Sequence, residues 1–192
     1  MIRARELSKR FGDKRVLDDL ELVVPHGGFV LVTGPNGSGK TTLLRLCAGL
    51  AAPTSGELDV EVPRGAIGFL AHEPLVYREL TALENLDLYG RLYRIPERRE
   101  RCGAMLERWG LWRSRNDRAG TFSRGMLQRL ALCRAFLHEP DLLLLDEPFD
   151  GLDAEGAKML YLKLAEHGST ALVATHDPSS LATRATARIA LA

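Results

Sequence analysis

Residues 34–42 read Gly-Pro-Asn-Gly-Ser-Gly-Lys-Thr-Thr, a pattern of glycines, lysine and hydroxyls suited to holding a polyphosphate. Gly34, Gly37 and Gly39 let the backbone curl until loop N–H groups point at one anion. Lys40 can reach β- and γ-phosphates, and the Thr41 hydroxyl offers an oxygen to Mg²⁺. Pro35, Asn36, Ser38 and Thr42 complete the set of candidate nucleotide contacts in this loop. Far along the chain, Asp146-Glu147 supplies two carboxylates side by side. Asp146 suits a water-mediated hold on Mg²⁺, and Glu147 suits a general base acting on an attacking water. His176 is a third candidate, an imidazole able to hydrogen-bond a γ-phosphate and orient its neighbours. His26, His138 and His167 sit beside turns or helix ends and are expected to be solvated.

These residues need elements to position them. The apolar run Phe29-Val30-Leu31-Val32 before the loop reads as a buried strand, and 40–50 as a helix whose positive dipole end backs the phosphates. Leu142-Leu143-Leu144-Leu145 has the texture of a central parallel strand buried on both faces, and it delivers Asp146 and Glu147 at its C-terminal end. Ala171-Leu172-Val173-Ala174-Thr175 does the same for His176. Residues 2–7 and 16–24 alternate apolar and polar side chains, which predicts an antiparallel β layer. Residues 57–62 and 66–70 read as short strands. From 75 to 118 charged residues crowd in, and Leu83, Leu86, Leu88, Leu92, Met105, Leu106 and Trp109 recur near helical spacing. Helices are expected over 123–137 and 154–167.

Composition bounds the reading. The chain has 192 residues, is 45% hydrophobic and 27% charged, and has a formal net charge of +1. That suits a globular protein with a core and gives no global reason to expect nucleic-acid binding. Cys47, Cys102 and Cys133 are isolated, without metal spacing, which points to a reduced, cytosolic compartment. No apolar window is long enough to span a membrane, and the N-terminus lacks a signal-peptide core.

The order of strand, phosphate loop, helical insert, Phe122-Ser123-Arg124-Gly125-Met126, Asp146-Glu147, Asp150-Gly151-Leu152-Asp153 and Thr175-His176 resembles the ATP-binding subunit of ABC transporters. The resemblance runs over nearly the whole chain. It implies an α/β fold of the P-loop NTPase, ABC ATPase type: an N-terminal antiparallel β layer, a mainly parallel core sheet, and a helical subdomain over about 75–138 inserted in the core. All of it would form one ABC domain over 1–192. The family's signature loop is Leu-Ser-Gly-Gly-Gln; here Ser123 and Gly125 match, while Phe122, Arg124 and Met126 depart. The resemblance further implies ATP and Mg²⁺ as ligands. It implies a head-to-tail homodimer in which Ser123 and Gly125 of one subunit face the ATP on the other, with Asp153 coupling the two sites. Integral membrane permease subunits would hold the chain at the cytoplasmic face of the membrane, and no nucleic acid is expected. Phe11 falls where the family stacks an aromatic on adenine; anchoring the first hairpin is the other reading of it.

His72 departs from the family's usual glutamine. Followed by Glu79-Leu80-Thr81-Ala82-Leu83-Glu84-Asn85-Leu86, it resembles the haem-exporter ATPase subunit of cytochrome c maturation. Imidazole is a poorer Mg²⁺ ligand than an amide oxygen, so His72 is expected to meet the nucleotide region through a water or a hydrogen bond. The functions in competition are an ATP-hydrolysing translocase subunit of that system, the ATPase subunit of another small exporter (drug, lipid or peptide), a soluble ABC ATPase acting on DNA or ribosomes, and a non-catalytic assembly subunit. The segment Leu75-Val76-Tyr77 and the 83–92 face are expected to dock a membrane partner.

Overall fold

Short apolar runs separated by turn residues set the layout of the computed structural model, which describes residues 1–166 and 168–191. The chain divides into two compact units. The first comprises Met1–His72, Asp141–Glu147 and Ser169–Ala192, and the second Glu73–Pro140 and Pro148–Gly168.

In the first unit, β1 (Ile2–Phe11) and β2 (Lys14–Val24) form an antiparallel hairpin turning at Gly12-Asp13. Ile2 and Ala4, and Leu22 and Val24, are buried in the period-two alternation, while Leu7 and Leu17 reach the same core across register shifts, with Glu6 and Asp19 at positive φ. The other edge of β1 carries β4 (Ser55–Val60), also antiparallel, giving the order β2-β1-β4. The second sheet is wholly parallel. Its strands are β3 (Phe29–Thr33), β5 (Ile67–Leu70), β6 (Leu142–Asp146), β7 (Thr170–Ala174) and β8 (Ala187–Ala190), in the order β5-β6-β7-β3-β8. Every residue of β3, β6 and β7 is buried, as near-continuous apolar parallel strands demand. Helix α1 (Lys40–Cys47) leads away from the phosphate loop and buries Leu43, Leu44, Leu46 and Cys47 in a core shared with both sheets. It is shorter than the expected 40–50, because Gly49 takes a left-handed conformation just after it.

The second unit is helical: α2 (Ala82–Leu92), α3 (Arg98–Arg108), α4 (Arg124–Phe136) and α5 (Ala154–Glu166). Leu86, Leu106, Trp109, Leu130 and Phe136 are fully buried, with the Trp109 and Phe136 rings 6.3 Å apart. Helix α2 starts on a capping box in which Thr81 accepts from the Glu84 N–H and the Glu84 carboxylate accepts from the Thr81 N–H. Buried Asn85 ties the preceding turn, accepting from the Tyr77 N–H and donating to the carbonyls of Tyr77, Leu80 and Thr81.

His138 departs from expectation. It is half-buried and stacks on Tyr93 with ring centroids 3.8 Å apart, because the end of α4 packs inside the helical unit. His26 is exposed as expected, beside Glu61; His167 lies outside the described residues. Of the expected docking face, Leu75, Tyr77 and Leu92 are exposed, Leu83 and Leu88 are half-buried, and Leu86 is core. Burial pushes the Cys47 and Cys102 thiols up to about 12 and about 11, which makes them inert packing residues. Among the described residues no helix is long and apolar enough to cross a membrane.

Candidate nucleotide-binding site

The strand order brings the chemistry together. Strands β5, β6, β7 and β3 are neighbours in aligned register, with Leu70 opposite Leu145, and Ala174 opposite both Asp146 and Val32. Their C-terminal ends therefore deliver, in sequence across one sheet edge, His72, Asp146-Glu147, Thr175-His176 and the phosphate loop. That edge is where ligands collect in open α/β sheets.

The loop between β3 and α1 is a tight backbone cradle. Gly34 has φ +151°, and a Cβ there would come 2.4 Å from the Leu191 carbonyl oxygen and 2.6 Å from Ser38 Oγ. Gly37 also has positive φ, +87°, but a Cβ there would meet nothing within 4 Å. Lys40 is buried, and its ammonium folds over its own loop, donating to the carbonyls of Gly34 (2.8 Å) and Pro35 (3.0 Å). The buried Ser38 hydroxyl has no hydrogen-bond partner among the described residues. An amphipathic lysine capping a glycine-lined curl, with a spare hydroxyl inside it, is a cradle fitted to an anion.

Opposite the loop, the Thr41 hydroxyl donates to Asp146 Oδ2 at 2.6 Å. Burial pushes the Asp146 carboxyl above the usual carboxylate value, while the Thr41 hydrogen bond and the charges of His72 and Lys40 pull it back. Two hard oxygens in contact suit Mg²⁺, which typically takes only one or two protein ligands besides waters and phosphates. Glu147 follows with φ +47°, its N–H bonded to the Ala174 carbonyl at 2.9 Å. Its Oε2 accepts from the His176 N–H (3.3 Å) and lies 2.9 Å from His176 Nδ1. The carboxylate is only 12% exposed, whereas the His176 side chain is 65% exposed.

Asn36, Gly37, Gly39, Lys40, Thr41 and Thr42 line one cleft of about 470 Å³, with His72, Asp146 and Glu147 on its wall. Phe11, 57% exposed, lines the same cleft, with Lys9 Nζ 4.9 Å from the ring centroid. Lys14 and Val16 also face this cleft and were not anticipated. Their signal was available, since both lie on one face of a strand that returns directly from Phe11. A slightly larger hollow of about 510 Å³ beside the end of α1 is lined by aliphatic residues and Arg64, with no acidic or hydroxyl side chain among them.

Ser123, Gly125 and Asp153 belong to the second unit. Ser123 caps α4, accepting from the Met126 N–H at 3.2 Å. A Cβ on Gly125 would come 2.9 Å from the Gly151 carbonyl oxygen. Asp153 accepts from the Gly156 N–H at 2.9 Å and pairs with Arg129, and these contacts hold its carboxyl below the usual range.

With this geometry, known proteins supply the frame. The pattern described as ABC transporter matches residues 17–150. The aliphatic sulfonates import ATP-binding protein SsuB of Burkholderia ambifaria is 42% identical over 182 residues, covering 89% of this chain and 54% of that protein. The daunorubicin resistance ATP-binding protein DrrA3 of Streptomyces coeruleorubidus is 39% identical over 181 residues, covering 87% and 57%. The chain thus spans about half the length of the curated relatives it matches. A dimeric structure of the ATP-binding cassette MJ0796, in a post-hydrolysis state bound to ADP and Pi, superposes with a TM-score of 0.87 at 30% identity. It covers 100% of this chain and 94% of that one. This chain belongs to the ABC transporter family and carries its ATP-binding domain.

Proposed function

We propose that the chain binds ATP with Mg²⁺ and hydrolyses it, as the peripheral ATPase subunit of a membrane transport complex on the cytoplasmic face. The observation that carries this is the convergence of the phosphate cradle, the Thr41–Asp146 pair and the Glu147–His176 pair on adjacent strand ends. On this reading Lys40 leaves the Gly34 and Pro35 carbonyls and turns to the β- and γ-phosphates, and the loop N–H groups cradle the same anion. Phe11 offers its ring to the base. Thr41 and Asp146 would hold Mg²⁺, which supplies charge neutralisation at the transferred phosphoryl group when bound. Glu147 takes the proton of the attacking water as its oxygen bonds to the γ-phosphorus and the ADP oxygen departs. His176 holds the Glu147 carboxylate in place and stands beside the γ-phosphate.

The two units work as one ABC domain on this proposal, and the active form is a head-to-tail homodimer. Ser123 and Gly125 of each subunit would close over the other's ATP, and Asp153 would couple the sites. The dimeric cassette of similar fold supports the dimer. The narrower haem-export reading rests on His72, which lines the cleft, and on the run 79–86. Sulfonate import and drug resistance, named for the relatives, are the rival cargo readings.

The test is Glu147→Gln, which keeps the shape and an acceptor for His176 but removes the base. Turnover falls about 10²–10⁴-fold while ATP binding persists, and light scattering shows an ATP-dependent dimer. Turnover close to wild type removes Glu147 as the base. Capture of the ATP-loaded variant from native membranes identifies its permease: haem-handling subunits support the narrower reading, and a sulfonate or drug permease replaces it.

A further inference from the structure

Glu147 occupies a conformation its sequence position opposes. A non-glycine residue at φ +47° is uncommon, and a residue preceding proline is driven towards extended backbone. Such geometry persists only where the surroundings over-determine it. On the N-terminal side the constraint is visible: the Glu147 N–H donates to Ala174, and the carboxylate meets His176. On the C-terminal side Pro148 has no N–H, so only its carbonyl can be gripped. That carbonyl accepts from Gln128 Nε2 at 3.2 Å in a buried position.

Gln128 is otherwise hard to explain. It is 5% exposed on α4, between buried Leu127 and Leu130, where an aliphatic residue would pack without a polar group to satisfy. Its neighbours grip the same loop further on. Arg124, one turn earlier, pairs with Asp150, and Arg129 pairs with Asp153. Gly125 leaves room for the Gly151 carbonyl. The first two turns of α4 therefore hold 148–153 at three points, and the point adjoining Glu147 is the buried amide.

We propose that Gln128 is a positioning residue for the hydrolysis proposed above: by fixing the Pro148 carbonyl, it keeps Glu147 in the left-handed conformation that presents its carboxylate to His176 and the attacking water. The inference rests on that functional reading for its kinetic consequence, but its structural consequence is separate. Gln128→Met keeps the side-chain length and loses the donor. Gln128→Leu also loses the donor and puts no titratable group in its place.

Both variants are compared with wild type by thermal melting, steady-state hydrolysis and ¹⁵N NMR of the His176 imidazole, whichever folds carrying the test. The expected result is a fall in kcat of about tenfold or more, with KM for ATP within about twofold, as for a displaced catalytic group. The His176 Nδ1 resonance moves towards its position in Glu147→Ala. A folded variant with unchanged kcat and an unmoved resonance overturns the proposal. Absence of turnover in wild type refutes the functional reading instead, and the His176 resonance then decides the positioning role alone.

Discussion

Thr41→Val is the sharpest probe of the site before any ligand binds. The Thr41 hydroxyl is the hydrogen-bond donor to Asp146 Oδ2, at 2.6 Å, and Asp146 is 2% exposed. Valine keeps the branched shape and leaves a buried carboxylate facing a methyl group. A hydrogen bond to a charged group contributes about 1.5–3 kcal/mol, so the unliganded protein loses about that much stability near neutral pH. For a chain of this size, that corresponds to a fall in Tm of about 3–12 °C. The pH dependence carries the stronger test. Burial already raises the folded-state pKa of Asp146, so the cost of its ionised form is absent below the unfolded carboxylate pKa and complete above the folded one. Removing the Thr41 donor raises that folded pKa further. The gap in Tm between variant and wild type is therefore widest above the folded pKa and narrows as pH falls through it and Asp146 takes up a proton. Calorimetry over a pH series measures it. A gap below about 1 °C, or one that widens on acidification, refutes the account of Asp146 as a carboxylate kept ionised by Thr41.

Two further perturbations test other parts of the fold. Gly34→Ala forces a Cβ against the Leu191 carbonyl and Ser38 Oγ at positive φ, so backbone strain and overpacking add to about 2–6 kcal/mol; Gly37→Ala, with open space around it, carries the strain alone, about 1–3 kcal/mol. Urea denaturation should rank the two in that order, and equal losses would mean that the loop is not packed as described. In the helical unit, the Arg98 hydrogen bond, followed by that of Arg91, holds the Asp87 carboxyl below its usual value, so its stabilisation is present above about pH 4 and is lost as pH falls through the lowered pKa. Asp87→Asn should flatten that part of the acid limb in stability measurements below about pH 4, and an unchanged limb would discount the pair.

The phosphate loop and the carboxylate pair of the candidate site were legible because their signals are local. A glycine-rich loop after an apolar strand, and a carboxylate pair at the end of a leucine run, need only neighbouring residues to declare themselves. What stayed hidden depends on contacts distant in sequence. The strand at 57–62 had no assigned partner, yet β4 pairs with β1 through Ile2 and Val60. Periodicity says that a strand exists but not which edge it joins. His138 looked solvated beside Glu139-Pro140, but Tyr93, far back along the chain, covers it. Nothing in the sequence singles out Gln128, because its partner is a main-chain carbonyl with no side-chain signature. The left-handed Glu147 was also invisible: its sequence context argues for extended backbone, and contacts with Ala174 and His176 override it.

Those same contacts bear on how the proposed site would take its ligand. Most of its charged groups already have partners: Lys40 on the Gly34 and Pro35 carbonyls, Asp146 on Thr41, and Glu147 on His176. An anion entering this cradle does not fill an unsatisfied site so much as exchange partners with it, and only the difference between old and new hydrogen bonds reaches the affinity. Lys40 gains most from the exchange, since it trades neutral carbonyls for charged phosphate oxygens, which form hydrogen bonds about twice as strong. Asp146 gains only if a cation comes with the anion, because that positive charge, acting directly or through a bound water, offsets the burial that raises its pKa. The Thr41 hydroxyl can keep donating to Asp146 while an oxygen lone pair turns to the cation, so on the proposed reading triphosphate and metal binding are coupled at the Thr41–Asp146 pair. Glu147 has no such exchange to make. Its link to His176 can persist through binding, which leaves the proposed base poised by the fold and not by the ligand.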